Sequence, residues 1–451
     1  MTASTPNNTS FVLSAPAVLS DSDTLITDAA IAVIHGTIRA CDQRSKILKQ
    51  FPGLPEVHVA SCVLTPGFVN AHTHLELSFL AGKIPGPADF PDWVLQLIAA
   101  YPSVGDAEEV FSRSALAGAQ ESIRFGVTTV GDITRQHHIV RPALRSKSSL
   151  GIVSFGELTA LGRSRSYLDA RLAAAMDQHA SDSRMSIGLS PHAPYSVEGP
   201  ALEKIVAMAR KHCVPLSMHL AELREERDFL KDFSGPLGKN WMLMRHIDLL
   251  DDLVPAFADG PIRWAQYYGL FNAGVPVILA HVNYADDTEL DILADSGAAV
   301  AYCPRTRHYF GHDAVTPHPW QVMQQRGIRV CLATDSLASN PDLSLLREAQ
   351  FLYRNDPSIN SQILWRMMTS DPAAALGLES QVGRLAPGCA ADILALPIAK
   401  HMLTSTAAVC DYLVREAPLP QSVWINGRHV FSAGSSAILH KAAGSAGGSA
   451  S

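Results

Sequence analysis

Residues 66–76 of the chain read Pro66-Gly67-Phe68-Val69-Asn70-Ala71-His72-Thr73-His74-Leu75-Glu76. The apolar run before the histidines is typical of a β-strand. Side chains of a strand alternate between its two faces, so His72 and His74 are expected on the same face. Two imidazoles on one face can bind one metal ion. The stretch therefore predicts a strand that ends in half of a metal site, with the other ligands supplied from elsewhere in the chain.

The middle of the chain repeats a short apolar run followed by a helical stretch, for instance Ala107–Phe125 or Gly199–His212. After Phe68–Asn70, the further strand candidates are Thr128–Val130, Gly151–Phe155, Met185–Leu189, Leu216–His219, Val275–Ala280, Ala298–Tyr302 and Val330–Ala333. Eight strands that alternate with helices predict an α/β fold, a parallel (β/α)8 barrel of the TIM type.

Both ends of the chain are instead rich in short β-like runs. These runs are Thr24–Ile26, Ala30–Ile34 and Thr37–Ala40 near the start, and Asp392–Leu396 and Ser422–Val430 near the end. The pair Asn426-Gly427 inside the last run predicts a hairpin turn. We expect the two termini to form one small β-sandwich domain.

The predicted domain organisation follows from these two patterns. Residues 1–65 and 383–434 form the β-sandwich, residues 66–382 form the barrel, and residues 435–451 form a disordered tail that ends in Gly, Ser and Ala only. Residues 233–272 are longer than a barrel loop requires. We expect them to hold extra helices that cover the site or contact a second subunit, as in a homodimer.

Composition argues against several classes of partner. The 451 residues are 47% hydrophobic and 18% charged, with a net charge of −7 and no run rich in Lys or Arg. Nucleic acid and anionic membranes are therefore disfavoured, and a small-molecule substrate is expected. The seven scattered cysteines contain no Cys-x-x-Cys pair, and residues 1–10 lack the pattern of a signal peptide. A cytoplasmic protein without a membrane span is expected.

Polar side chains stand at the ends of the strand candidates, where the active site of a barrel forms. They are His72 and His74, His192, His219, His281 and Asp335. Each alone has a structural explanation, such as capping the next helix. Six at successive strand ends predict one site, because the barrel itself would bring them together.

The strings around these residues resemble the amidohydrolase superfamily. They are Pro66–His74 (PGFVNAHTH), Pro191–Ser196 (PHAPYS), Met218–Glu222 (MHLAE), Ala333–Ser336 (ATDS) and Gly383–Ile393 (GRLAPGCAADI). Within the superfamily they are most similar to the branch of guanine deaminase, the methylthioadenosine and S-adenosylhomocysteine deaminases, aminodeoxyfutalosine deaminase and the triazine chlorohydrolases. The resemblance spans roughly residues 10 to 434.

The resemblance implies a ligand set. By it, His72, His74, His219 and Asp335 bind one divalent metal ion, zinc or alternatively ferrous iron. Superfamily members with two metals carry a carboxylated lysine after the fourth strand. Here that position reads Leu189-Ser190-Pro191-His192, without a lysine, so a mononuclear site is expected.

The resemblance also implies a reaction, the hydrolytic deamination of an amino-substituted nitrogen heterocycle, with an adenine-type nucleoside such as aminodeoxyfutalosine as the expected substrate. Water activated by the metal attacks the ring carbon. Asp335 and His281 accept the proton of this water and orient the water. Glu222 protonates the ring nitrogen and helps the amine to leave. His192 is expected to contact the substrate.

Three weaker contacts complete the predicted site. Trp93 forms a wall for a flat ring or packs in the core, and Glu157 binds a ribose hydroxyl or pairs with a neighbour. The loop after the seventh strand reads Thr306-Arg307 where the branch has Ser-Asn. We expect Arg307 to pair with an anionic substituent of the substrate, or else to belong with Arg305 and His308 to a structural cluster.

Two alternatives to deamination of a nucleoside stay open. The first is a related amidohydrolase reaction on another leaving group or ring C–N bond, of the chlorohydrolase, guanine deaminase or imidazolonepropionase type. Glu222 favours protonation of a ring nitrogen but does not decide the leaving group. The second is a non-catalytic scaffold, which the retention of all four ligands together with His281 and Glu222 disfavours.

Overall fold

The computed structural model describes residues 10–86, 89–177, 183–243 and 256–433. The tail predicted to be disordered, the first nine residues and positions 244–255 of the predicted insertion lie outside these ranges. In the described ranges no helix is both long enough and apolar enough to cross a membrane.

Two eight-stranded sheets account for all the strands of the described chain. The first, built from the termini, contains β1 (Phe11–Leu19), β2 (Leu25–Ile34), β3 (Thr37–Gln43), β4 (Glu56–His58), β5 (Cys62–Pro66), β14 (Ile393–Pro397), β15 (Ser422–Ile425) and β16 (Arg428–Ser432). The second contains β6 (Phe68–Thr73), β7 (Val127–Thr134), β8 (Gly151–Leu158), β9 (Met185–Pro191), β10 (Leu216–Leu220), β11 (Val277–His281), β12 (Ala299–Tyr302) and β13 (Val330–Leu332).

Most helices connect strands of the second sheet, and a few connect strands of the first. They are α1 (Arg44–Gln50), α2 (Phe90–Ala99), α3 (Ala107–Arg124), α4 (His137–Lys147), α5 (Leu168–Ala175), α6 (Gly199–His212), α7 (Glu226–Asp232), α8 (Gly235–Leu243), α9 (Pro261–Tyr267), α10 (Asp287–Ser296), α11 (Pro304–Tyr309), α12 (Trp320–Gln325), α13 (Leu345–Asn355), α14 (Ser361–Met367), α15 (Ser370–Ala375) and α16 (Thr406–Glu416). Short 3-10 turns lie at Leu75–Leu80, Gly162–Tyr167, Leu270–Asn272, His312–Ala314 and Lys400–Met402.

The second sheet is the predicted barrel. Its strands follow one another from β6 to β13 in chain order, and every neighbouring pair is parallel. The first and last strands meet just beyond β13, where Thr73 and Asp335 form a parallel bridge and the Asp335 N–H donates to His72 O at 3.2 Å. The prediction of a TIM-type barrel is confirmed. Its interior below the site is filled by buried apolar side chains such as Val69, Phe155 and Ile278.

The terminal sheet joins the two ends of the chain, as the sequence predicted. Its order is β16-β15-β14-β5-β1-β2-β3, with β4 paired to β1. The Ile38 N–H donates to Cys389 O at 2.9 Å and the Ala391 N–H donates to Gly36 O at 2.8 Å, so the sheet curls around its own apolar side.

Sequence patterns found some strands of this sheet and missed others. The predicted hairpin between β15 and β16 turns at Asn426 and Gly427, both with positive φ. Strands β1, β4 and β5 were missed, since β1 and β5 are buried on both faces and show no alternation. The domain boundaries at 65/66 and 382/383 stay a prediction.

Leu64 tests whether the terminal sheet is one cooperative unit. It is fully buried between β1 and β14, where it pairs with Val18 and Ala395. Leu64→Ala removes buried apolar contacts from both ends of the chain and should lower the free energy of unfolding by about 2–5 kcal/mol. Urea unfolding measures this change, with Leu419→Ala, at a residue 39% exposed, as the control. Equal stability of the two variants would contradict a shared core.

Candidate active site

Three histidines converge at the carboxyl end of the barrel. His72 and His74 come from the end of β6, and His219 comes from β10. One ring nitrogen from each lies within 4.8 Å of the others, and the Nε2 atoms of His74 and His219 are 3.3 Å apart. His72 lies in β6 and His74 directly follows this strand, and the period-two alternation brings their rings to the same side, with centroids 5.0 Å apart.

Asp335 faces these histidines from the loop after β13. Its Oδ1 lies 3.7 Å from His72 Nε2 and 3.5 Å from His74 Nε2. Its Oδ2 accepts a hydrogen bond from Ser339 Oγ at 2.7 Å, and its carbonyl accepts one from Thr73 Oγ1 at 2.8 Å. Asp335 also has a φ of 56°, in the left-handed region that a non-glycine residue seldom adopts. Both its main chain and its carboxylate are thus held in place.

The chemistry of this donor set fits a divalent metal ion. His72 is fully buried, and neither of its ring nitrogens has a hydrogen-bond partner among the residues that the structure describes. Burial lowers the pKa of His72 and of His74 well below the usual range and that of His219 to about 4. The imidazoles are therefore neutral, the state that binds metal. Three neutral imidazoles and one carboxylate are ligands that zinc and ferrous iron accept.

A carboxyl–imidazole pair stands beside the donor set. Glu222, two residues after β10, places its Oε1 3.6 Å from Nε2 of His281, the last residue of β11. Both side chains are buried. Burial raises the pKa of Glu222 well above its usual range, and the charges of Asp335 and Glu226 raise it further. Glu222 is therefore suited to hold and deliver a proton.

His192 follows β9 and has a double role in the site. Its carbonyl lies 3.1 Å from His219 Nδ1 and accepts the N–H of that ring, which leaves His219 Nε2 free to face His74. Its own Nδ1 lies 2.6 Å from Ser196 Oγ. The imidazole lines the cavity described next, as expected for a substrate contact.

A cavity of about 720 Å³ opens above the donor set, within the range of about 300–1,000 Å³ usual for small-molecule sites. One wall is apolar and aromatic, with Phe90, Trp93, Tyr101 and Phe310. Trp93 both lines the cavity, where it could form a wall for a flat ring, and packs against other aromatic side chains. Its ring packs against Phe90 and Phe310 at centroid distances of 5.7 and 5.3 Å, and its Nε1–H donates to Ala338 O at 3.2 Å.

The rest of the wall includes polar and charged side chains. Glu157, at the end of β8, lies there as the sequence suggested. Sequence reasoning missed Glu76, Arg135 and Arg171, which also line the cavity. Glu76 could have been identified from the first motif, because it stands two residues after His74. Its buried carboxylate accepts hydrogen bonds from Thr134 Oγ1 at 2.5 Å and from the N–H groups of residues 135 and 136 at 3.1 and 2.9 Å.

Arg307 is placed differently from our expectation. In the part of the chain that the structure describes, it does not line the cavity. It is 3% exposed, and its Nη2 donates to the carbonyls of His312 and Thr316. The neighbouring Arg305 binds the carboxylates of Asp342 and Glu348. These contacts make the arginine cluster structural, the second of the two interpretations.

The described part of the 233–272 segment contains α8 and α9. Leu237 of α8 lines the cavity, so this helix covers part of the site. Contact with a second subunit stays a prediction.

Comparison with known proteins agrees with this architecture. Residues 63–430 match the family model described as "Amidohydrolase family". The chain therefore belongs to the amidohydrolase family.

Its relatives include several deaminases. The 5-methylthioadenosine/S-adenosylhomocysteine deaminase of Pelotomaculum thermopropionicum is 26% identical over 420 residues, which cover 90% of this chain and 89% of that protein. The crystal structure of aminofutalosine deaminase from Helicobacter pylori in complex with methylthio-coformycin is 20% identical, has a TM-score of 0.78 and covers 93% of this chain and 100% of that one. An adenosine deaminase from Xanthomonas campestris with bound zinc is 19% identical, has a TM-score of 0.72 and covers 94% and 93%.

Removal of a ligand should lower the metal content. His72→Ala and His219→Ala each delete an imidazole from the donor set, so both variants should bind far less zinc than the unmodified protein and should be less stable. Elemental analysis of the purified proteins measures zinc per chain. His308→Ala is the matched control, because His308 is exposed and pairs with Asp313 on the surface. Equal occupancy in all variants would contradict the ligand set.

Proposed function

We propose that the protein is a metal-dependent hydrolytic deaminase that releases ammonia from an adenine-type nucleoside. The proposal is carried by the Glu222–His281 pair, a proton-holding carboxyl beside the His72, His74, His219 and Asp335 cluster, at the floor of a partly apolar cavity. The deaminase relatives support it.

The same four residues would hold one divalent ion, with zinc proposed first and ferrous iron as the alternative. Such an ion, when bound, lowers the pKa of a water molecule and so supplies the nucleophile. The chain supplies the proton transfers. Asp335, whose Oδ2 is already held by Ser339, faces the histidines with Oδ1 and accepts a proton from the attacking water.

Glu222 and His281 act on the substrate ring. The protonated Glu222 carboxyl gives its proton to the ring nitrogen next to the attacked carbon. His281, 3.6 Å from Glu222, helps to orient the attacking water. Glu222 then takes the proton that Asp335 received and delivers it to the leaving amine. As ammonia leaves, the hydroxyl group on the attacked carbon gives its proton through Asp335 to Glu222 and becomes a carbonyl, so that both carboxyls return to their starting state.

The walls of the cavity favour a particular kind of nucleoside. His192, Trp93 and Glu157 line the cavity. We expect the first two to contact the base and Glu157 to accept hydrogen bonds from the ribose hydroxyls. Arg135 and Arg171 bring two guanidinium groups to the polar wall, which suits a substrate whose substituent carries a carboxylate. They take the place that sequence reasoning gave to Arg307.

An assay of ammonia release tests the function directly. Zinc-loaded protein should convert at least one adenine nucleoside to its hypoxanthine counterpart, followed by ultraviolet absorbance. The panel should contain adenosine, 5′-thioether adenosines with and without a carboxylate, and a chlorotriazine. Turnover of the chlorotriazine with no release of ammonia from any nucleoside would overturn the proposal.

Glu222→Gln tests the proton donor. The amide cannot exchange a proton with the ring nitrogen, so kcat should fall by at least about 100-fold while the zinc content stays at the wild-type level. Glu225→Gln is the matched control, since Glu225 is a half-buried residue in the same segment that lies outside the cavity wall. A near-normal kcat for Glu222→Gln would remove the residue from the mechanism.

Arg135→Gln tests the charged wall. Loss of the guanidinium should lower kcat/KM by about 10-fold for a nucleoside with a carboxylate, and leave kcat/KM for a neutral thioether nucleoside unchanged. Arg113→Gln, on the exposed face of α3, serves as the control. An equal loss for both substrates would contradict recognition of charge by Arg135.

A further inference from the structure

Glu226 is a buried carboxylate whose hydrogen bonds go to the main chain of the loop that carries Glu222. It is the first residue of α7 and is fully buried. Its Oε1 accepts the N–H groups of Glu222 at 2.7 Å and Leu223 at 3.0 Å, and its Oε2 accepts the Ala221 N–H at 3.0 Å. One side chain thus accepts hydrogen bonds from three consecutive main-chain amides.

The loop needs an acceptor at this place. The strand β10 ends at Leu220, and the next residue, Ala221, has a φ of 52°, in the left-handed region. This turn takes the chain out of the barrel, so the following amides lose the strand partners they would otherwise have. A buried amide without an acceptor is destabilising, and a carboxylate can receive several amides at once.

The other edge of the same loop is also held. Asn283 Nδ2 donates to the Glu222 carbonyl at 3.0 Å, and the Tyr284 N–H donates to the Ala221 carbonyl at 3.1 Å. With both edges of its main chain fixed, Glu222 can move its carboxyl only by rotating its own side chain. That carboxyl lies 3.6 Å from His281.

We propose that Glu226 is a positioning residue for the reaction: it sets the main chain of residues 221–223 so that the Glu222 carboxyl faces His281 and the substrate. This inference rests on the proposed function of Glu222 as proton donor. Glu226 itself is not among the described residues that line the cavity, so its role would be to hold Glu222 and not to contact the substrate. The two glutamates, four residues apart, would therefore have different roles: Glu222 transfers protons, and Glu226 holds Glu222 in position.

Glu226→Gln is the sharpest variant, because it keeps the size of the side chain and changes one acceptor oxygen into an NH2 group. The new donor would face an amide N–H, so at least one of the three hydrogen bonds is lost. We expect kcat per zinc-loaded site to fall by about 10- to 100-fold, as for a small displacement of a catalytic group, with KM and zinc content close to wild type. Glu225→Gln, one residue earlier, should leave kcat and KM unchanged.

Two further measurements separate positioning from general stabilisation. Hydrogen exchange of the peptide that contains residues 221–223 should be faster in Glu226→Gln, with other barrel peptides unchanged. A role in overall stability alone would instead lower the thermal midpoint and leave kcat per folded, zinc-loaded site at the wild-type value. That result, or wild-type kcat together with wild-type exchange, would overturn the proposal.

A crystal structure of Glu226→Gln keeps the two proposals distinguishable. If the unmodified protein releases no ammonia from any nucleoside, the proposed function fails, and Glu226 is judged on geometry and exchange alone. Displacement of the Glu222 carboxyl away from His281 would then support its positioning role. An unchanged loop and an unchanged Glu222–His281 distance would overturn it.

Discussion

The site depends on the contact that closes the barrel between its first and last strands. The Asp335 N–H donates to the His72 carbonyl, and Thr73 Oγ1 donates to the Asp335 carbonyl. These two hydrogen bonds join residues more than 260 positions apart and bring the last carboxylate against the first histidines. Because a closed barrel has no free edge, the remaining strands then place His219 and His281 on the same rim. The donor set is thus a direct product of closure.

Buried carboxylates hold the loops on this rim. Glu76 receives the main chain after β7, Asp132 Oδ1 accepts the Leu75 N–H at 2.9 Å, and Glu226 receives the loop after β10. Glu348 accepts the Arg305 N–H at 3.0 Å and holds the segment after β12. Such loops leave their strands with amides that lack partners, and a carboxylate can accept several of them. These four buried carboxyl groups therefore serve main-chain geometry.

Period-two alternation and strand-end position in the sequence predicted the barrel and a group of polar side chains at its rim, whereas the choice of His72, His74, His219 and Asp335 as metal ligands came from the resemblance and stays a proposal. These four residues come together because the strands that carry them are parallel and end at the same rim of the barrel. The sequence could not predict the position of the Arg307 side chain. Whether an arginine faces a cavity or the carbonyls of its own loop depends on the path of that loop. Arg135 and Arg171 were missed for the same reason. Glu226 stands in a charged segment of the sequence, and its burial follows from the turn at Ala221, which leaves three main-chain amides that donate to its carboxyl group.

The closing contact also has a consequence for the order in which the chain becomes organised. The donors span residues 72 to 335, and the terminal sheet pairs β5 with β14, so both assemblies wait for residues synthesised late. Contacts of such long sequence separation form slowly, because the chain loses the entropy of closing a large loop before these contacts can stabilise it. A partly synthesised chain carries His72 and His74 without their partners. An ion held by the proposed ligand set would therefore find all four of its ligands only once the barrel is complete, and its binding would then stabilise the finished barrel.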